Sequence, residues 1–467
     1  MIGPVLIFRH LDDTHLHLAA VVTADGPDAP GPFVVDGHEI AATLLTRIDA
    51  TGIWRFDFAV PRGQNAAYRF AGEDHPIATD VDGDLRIGFV SCNGEEHGDL
   101  DRDGDERNAM WMRMDETHRA APFHLLIHGG DQVYADEITH THPLTADWPE
   151  AVPDRVSEAE LDDLRAHLRR GFLHRYVETY SGAGFSRMCA QVPSLMMWDD
   201  HDICDGWGSL DEDKLGSPVG QLLFECAREA FLLFQHGATD ADVPALFLDE
   251  SGASLSFRRD LPGVTILAPD LRSERTKARI MGPAGWAAFD AARQDVADRV
   301  ILVSSVPLLG PRLSIIERIM NALPTMQKYE DDLRDQWQSH AHRAEWQRML
   351  RAVLAMEAAG SSVTAVSGEI HLATRATLDG GRGPVHQLVA SGISHRAPPK
   401  AWAWTLGTFA RLGEAPLAGH PIRIRPLPGQ GTNYTAERNF LMIDRRDETW
   451  QARWSLEESG VTPSLAI

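Results

Sequence analysis

Positive charge is scarce in this sequence. Its 467 residues carry 44 lysines and arginines against 68 aspartates and glutamates, a formal net charge of −24. A surface that acidic disfavours loose binding to nucleic acid or to anionic membranes, because both are polyanions. Cysteine is scarce too. Cys92, Cys189, Cys204 and Cys226 are the only four, their spacing suggests no disulfide framework, and each reads first as a small buried hydrophobe. Long hydrophobic runs are missing. No stretch approaches the roughly 20 apolar residues of a membrane span. The N-terminal run in MIGPVLIFRHLDD breaks at Arg9 and His10, short of a signal-peptide core. The expectation is a cytoplasmic protein with no membrane span and no nucleic-acid partner, a secreted mature form being the alternative. An apolar content of 43% suffices for a core, and the length suggests two or three domains.

Aspartate, by contrast, is crowded. From Ser194 to Ser209 the chain reads SLMMWDDHDICDGWGS, which packs Asp199, Asp200, His201, Asp202 and Asp205 into seven positions. A solvated acidic turn is the plain explanation, since Asp and Gly are ordinary loop residues. A bound cation is the sharper one, because hard metal ions gather carboxylate oxygens and a nearby histidine can serve as ligand or acid. Leu195, Met196, Met197 and Trp198 read as a buried strand, with Asp199 directed back into the scaffold. A buried strand that runs out into an Asp/His turn is where open α/β sheets place ligands.

The rest of the chain supplies the frame. Residues 1–80 read as β, with WRFDFAV alternating cleanly, and suggest a small β-sandwich. EDHPIATDVDGD reads as a linker. From Asp84 onward, strands (LRIGFVS, PFHLLIHGGDQ, VPSLMMWDDHD, GVTILAPDLR, RVILVSSVPLLG, SSVTAVSGEIH) alternate with helices such as SEAELDDLRAHLRRGFLHRYVETY, which opens on a Ser157/Glu160 capping box. That alternation implies a largely parallel sheet in a catalytic domain spanning residues 84–467. The end, RNFLMIDRRDETWQARWSLE, reads as a β-hairpin.

Four of the six strands end in metal-capable side chains. The first ends in Ser91-Cys92-Asn93, the second in GGDQVYADE, the third in WDDHD and the sixth in SGEIH. Cys92 and Tyr134 are charge-rich donors that suit a redox-active or trivalent metal, with His371 as an imidazole ligand. Asp131, Asp200 and Glu369 are hard oxygen donors that suit calcium, magnesium or manganese. Asp131, in a tight Gly-Asp turn, is the candidate bridge of a two-ion clamp for phosphoryl displacement.

FVSCN, GGDQVYADE, WDDHD and SGEIH, in that order, resemble the alkaline phosphatase D (PhoD-like) family of calcineurin-like metallophosphoesterases. The resemblance covers most of the chain. It implies an α/β fold, a four-layer α/β/β/α catalytic domain behind an N-terminal β domain. It also implies hydrolysis of small phosphomonoesters or phosphodiesters at a two-metal centre, expected as Fe3+ with Ca2+, with zinc, manganese or magnesium as substitutes. By resemblance, Cys92, Asp131, Tyr134 and His371 hold the first metal, and Asp131, Asp200 and Glu369 the second. His201 takes the place of the catalytic histidine, and Asp202 is expected to fix its tautomer. The chain departs from the wider superfamily at three points. Its opening Asp-x-His reads Ser91-Cys92-Asn93, the asparagine before the catalytic histidine is Asp200, and the final Gly-Asp-x-His is Gly368-Glu369-Ile370-His371. Rival readings are a non-catalytic metal-binding scaffold and a phospholipid-directed esterase.

Weaker signals complete the reading. Asn93, Arg272 and Arg275 are candidate substrate contacts, the two arginines as bidentate partners of phosphate or as plain surface ion pairs. DLDRDGDER, from Asp99 to Arg107, imitates a calcium loop but has Met110 where glutamate is required, so a solvated loop is expected. His395 lies near a strand end with no evident partner, and His340 and His342 are expected to face solvent.

Overall fold

A computed structural model describes residues 2–64, 66–153, 155–311, 336–410 and 413–467. All six expected strands form, divided between two large sheets of mixed direction. The first runs in the order Gly460–Val461, Thr449–Leu456, Asn439–Arg446, Leu85–Val90, Leu125–Gly129, Ser194–Met197, Val5–Leu11, His15–Asp25, Thr51–Pro61 and Ala42–Ile48. Its centre, from Leu85–Val90 to Val5–Leu11, is parallel. The second runs Phe257–Leu261, Val264–Ala268, Arg299–Val303, Ser362–Ser367, Pro384–Val389, Ala373–Asp379, His420–Arg425 and Glu414–Leu417, parallel from Val264–Ala268 to Pro384–Val389. Leu125–Gly129, Val264–Ala268 and Arg299–Val303 are buried at every position, which is why they read as nearly continuous apolar runs.

The period-2 alternation of the second sheet divides the core. Val264, Ile266, Ala268, Ile301, Val303 and Val366 share one core with the first sheet. Leu267, Val300, Leu302, Val363 and Ala365 turn to the opposite face. There they meet Trp286 and Phe289 of helix Pro283–Ala292 and Trp346, Met349 and Val353 of helix Arg343–Ala359. Helix Glu158–Tyr180 starts at the expected capping box and buries Leu164, Leu168 and Phe172.

Residues 1–80 do not close into a unit of their own. Val5–Leu11 lies parallel to Ser194–Met197, and its buried run Val5 to Phe8 calls for neighbours on both faces, which a two-layer edge would not supply. The segment read as a linker contains a strand, Glu73–Ile77, in a four-stranded sheet with Ala66–Phe70, Phe33–Val35 and His38–Ile40. That small sheet stacks Phe33 on Phe56 of the large one at 4.7 Å between ring centroids. The C-terminal hairpin forms as expected and extends the first sheet beside Leu85–Val90. Among the described residues no helix is long and apolar enough to cross a membrane.

Candidate metal centre

The strand ends of both sheets meet at one place, and glycines permit the approach. A Cβ on Gly368 would collide with Ser91, and one on Gly130 would come within 2.7 Å of the Asp199 Cβ. Four of the expected ligands adopt left-handed backbone: Cys92 (φ 55°), Asp131 (φ 55°), Glu369 (φ 69°) and His371 (φ 51°). Such conformations cost non-glycine residues roughly 1–3 kcal/mol each and gather at functional sites.

On one side of the cluster, Cys92 Sγ lies 3.4 Å from Asp131 Oδ2 and 3.1 Å from Ser391 Oγ. The Tyr134 hydroxyl is 3.1 Å from His371 Nε2. Burial, then the charge of Asp131, pushes the Cys92 thiol well above its ordinary pKa. Burial, then Cys92 and Asp131, does the same to the Tyr134 phenol. A cation nearby reverses that preference, since it favours thiolate and phenolate. Glu369 receives Gln336 Nε2 at both carboxylate oxygens, 2.6 and 2.5 Å away.

The acidic turn divides its aspartates among different tasks. Asp199 does point into the scaffold: Arg272 Nε and Ser305 Oγ both donate to its Oδ1. Arg272 also sets Nη2 3.1 Å from Asp200 Oδ1. With a side chain 0% exposed, Arg272 cannot meet substrate from solvent. It is the buried cation that lets Asp199 and Asp200 coexist, a correction to its expected role. Asp202 does not hold His201. Its carboxylate accepts the backbone N–H groups of Asp131 (2.9 Å), Gln132 (3.1 Å) and Asp199 (2.9 Å), and the side chain of Gln235 (2.9 Å). A π-helical turn, Phe231–Gln235, brings Gln235 to that position. Burial pushes the Asp202 carboxyl up to about 7 against the pull of these donors.

Asp136 takes the role expected of Asp202. Its Oδ2 lies 3.0 Å from His201 Nδ1, and its Oδ1 accepts the Asp205 N–H at 2.6 Å. The His201 ring stacks on Tyr134 at 4.3 Å. Burial pulls the His201 pKa down, but Asp136, Asp200 and Asp131 outweigh it and raise it well above the usual histidine value.

Asp131 is paired at one carboxylate oxygen only, through Cys92. It is 1% exposed, and its Oδ1 is buried without a hydrogen-bond partner. Burial, then Asp199, drives its pKa well above the carboxylate range. Carboxylate oxygens of Asp131, Asp199 and Asp200 lie within 4.8 Å of one another. An orphaned buried oxygen beside two more carboxylates, a thiol, a phenol and an imidazole is a donor set that fits a metal cation.

Other expectations need revision. Asn93 is spent on scaffolding: Oδ1 accepts from Trp111 Nε1 (2.7 Å) and Ser394 Oγ (2.9 Å), and Nδ2 faces the Gln132 carbonyl (3.3 Å). Arg275 is 3% exposed and packs against Gly208, so it is no surface ion pair. The calcium-like loop is not simply solvated. Asp99 is buried among Arg102 (3.0 Å), Arg107 (3.8 Å) and Arg175 (3.9 Å). His342 is buried, with Nδ1 3.1 Å from the Gln336 carbonyl, whereas His340 is exposed. His395 has partners after all. It stacks on His371 at 3.4 Å and reaches Glu96 at 3.3 Å, and Glu96, His371 and His395 form a further cluster with metal-ligand spacing. Glu96 had no signal in the sequence. Asp136 had one, two residues past Tyr134 in GGDQVYADE.

Comparison with known proteins bears on the fold and the family. The structure of PhoD superimposes with a TM-score of 0.58 at 12% identity, covering 99% of this chain and 88% of that one. The purple acid phosphatase PPD1 of yellow lupin (Lupinus luteus) gives 0.51 at 10% identity, covering 99% and 73%. Both likenesses establish a mixed α/β fold of several sheets. An uncharacterized protein of Saccharomyces cerevisiae is 23% identical over 348 residues, 61% of this chain and 49% of its own length, so the chain spans about half of that curated relative. The model of the PhoD related phosphatases matches residues 49–330, more than half of the sequence, and the chain belongs to that family.

Proposed function

We propose that this chain hydrolyses small phosphate esters at a two-metal centre, within the four-layer α/β/β/α arrangement that its motifs imply. The observation that carries the reading is the orphaned Oδ1 of Asp131, the residue that the two expected donor sets have in common. Cys92, Asp131, Tyr134 and His371 would hold one ion, and Asp131, Asp200 and Glu369 the other. The first set, with thiolate and phenolate, suits Fe3+, and the second, all carboxylate, suits Ca2+. Bound there, the ions supply Lewis acidity and an activated water.

The chain's own groups do the rest. Asp136 binds His201 at Nδ1, which leaves Nε2 for the substrate. Against burial, Asp136 and then Asp200 raise the His201 pKa, and a protonated imidazole at that position bonds a phosphoryl oxygen or protonates the departing alkoxide. Arg272 and Asp202 keep the turns in place without touching substrate. A purely metal-binding scaffold would have no use for the Asp136–His201 pair. The test is His201→Ala. Turnover of a chromogenic phosphoester should fall by about 10²–10⁴-fold, with metal content by elemental analysis unchanged. Wild-type turnover in that variant would overturn the reading.

A further inference from the structure

A second polar cluster lies outside the metal centre, where the first sheet meets the edge strand of the second. Arg9 belongs to Val5–Leu11, but the pairing with His15–Asp25 slips between Phe8 and His10. Arg9 is therefore the extra residue of a bulge, and bulges re-aim side chains. Arg259 comes from the edge strand Phe257–Leu261. His236 follows the π-helical turn, is 3% exposed, and is ringed edge-on by Phe231, Phe247 and Phe257.

These groups are only partly satisfied. Arg9 Nη2 donates to the Gly237 carbonyl at 3.0 Å, and Arg259 Nη1 and Nη2 donate to the carbonyls of Arg258 and Leu246. Arg9 Nη1, Arg259 Nε and His236 Nε2 are each shielded from solvent with no hydrogen-bond partner. Nearby Arg55 is matched by Asp57 and Asp242, but neither Arg9 nor Arg259 forms an ion pair among the described residues. Burial depresses both guanidinium pKa values to about 10. Orphaned buried donors of this kind are poised to meet an acceptor. His236 adds the opposite valence. Burial, then Arg259 and Arg9, lowers its pKa far below the ordinary value. A neutral imidazole that uses its other nitrogen on the Met196 backbone offers Nε2 as an acceptor.

We propose that Arg9, Arg259 and His236 form a binding site for a partly protonated oxyanion, hydrogen phosphate or a phosphomonoester monoanion. Two guanidinium N–H groups meet its oxygens, and its O–H donates to His236 Nε2. Sulfate, fully deprotonated at neutral pH, meets the arginines but has no proton for the histidine. The neighbour of His236 in the chain, Gln235, bonds Asp202, so occupancy of this site lies one residue from the clamp on the 131–133 loop.

The test is thermal unfolding of the full chain titrated with inorganic phosphate or sulfate, with sodium chloride holding ionic strength constant. Phosphate should raise the melting temperature saturably and at lower concentration than sulfate. Arg9→Gln and Arg259→Gln should each weaken half-saturation by about tenfold. Arg259→Lys, which keeps the charge but loses the Nε donor, should shift it the same way and guards against a misfolded glutamine variant. Phosphate is also the product at the proposed metal centre, so Asp131→Asn is measured alongside. A response that survives Asp131→Asn and fades in the arginine variants supports the site. A response that fades in Asp131→Asn and survives in the arginine variants, or no saturable response to phosphate at all, overturns it.

Discussion

Two stretches of this chain crowd four aspartates into seven positions, Asp99 to Asp105 and Asp199 to Asp205, and they resolve the repulsion differently. In the first, Asp101, Asp103 and Asp105 are exposed. Asp103 caps helix Gly104–Ala120 by accepting the Glu106 N–H at 2.9 Å, and the buried Asp99 is surrounded by three arginines. In the second, only Asp205 is exposed. Arg272 serves Asp199 and Asp200 together, Asp202 is consumed by backbone and Gln235 donors, and the cluster closes on Asp131, whose Oδ1 nothing satisfies. Acid density alone therefore does not mark a cation site. A buried carboxylate left without compensation does, because leaving it so costs free energy that a bound cation would return.

The strongest way to break that comparison is Asp131→Asn. Activity should drop by at least about 10³-fold, as the shared ligand of both proposed ions is lost, and elemental analysis should show depleted metal. In chelator-treated protein the same variant should melt no lower than its parent, because an uncompensated carboxylate has been removed. A marked loss of stability there would mean that Asp131 is structural. Next in size is Arg272→Met. It leaves two buried carboxylates without their cation and should cost about 3–5 kcal/mol by urea unfolding. Arg102→Met, at the half-exposed loop, should cost clearly less, because Arg107 and Arg175 remain near Asp99.

How far the site could be foreseen follows from the range of the interactions. That Cys92, Asp131, Tyr134, Asp200 and His371 fall at strand ends is legible in the sequence, because each follows a buried strand and strand ends are a local pattern. The exchange of Asp136 for Asp202 was not. Adjacency favoured Asp202, but the 3-10 turn Asp200–Asp202 sends the Asp202 carboxylate to the 131–133 loop and leaves His201 to a residue from another strand end. Arg272 looked solvent-facing because PDLRSER is a charged string, and no local pattern reports that a guanidinium is fully enclosed. Glu96 and His395 meet across 299 positions, and Val5–Leu11 finds its parallel partner through a pairing of Ile7 with Ser194. Contacts at that separation leave no periodicity to read, so which strands join which sheet, and the continuity of residues 1–80 with the first sheet, emerge only in three dimensions.

Smaller effects sharpen the contrast between the two aspartate stretches. Asp136→Asn should lower turnover by about 10–100-fold through His201 rather than through metal. Loss of the carboxylate also lowers the His201 pKa, so the alkaline limb of the turnover profile should move to lower pH with metal content intact. An unshifted limb would show that Asp136 does not govern the imidazole. Smallest is Asp103→Ala in the calcium-like loop. If that loop is an arginine-neutralised helix start, the variant loses only an N-cap, about 1 kcal/mol of stability. Activity, metal content and any response to added calcium should be unchanged. A calcium-dependent rise in melting temperature that the parent shows and Asp103→Ala lacks would instead mean that this stretch also gathers a cation, and would erase the distinction between compensated and uncompensated acids.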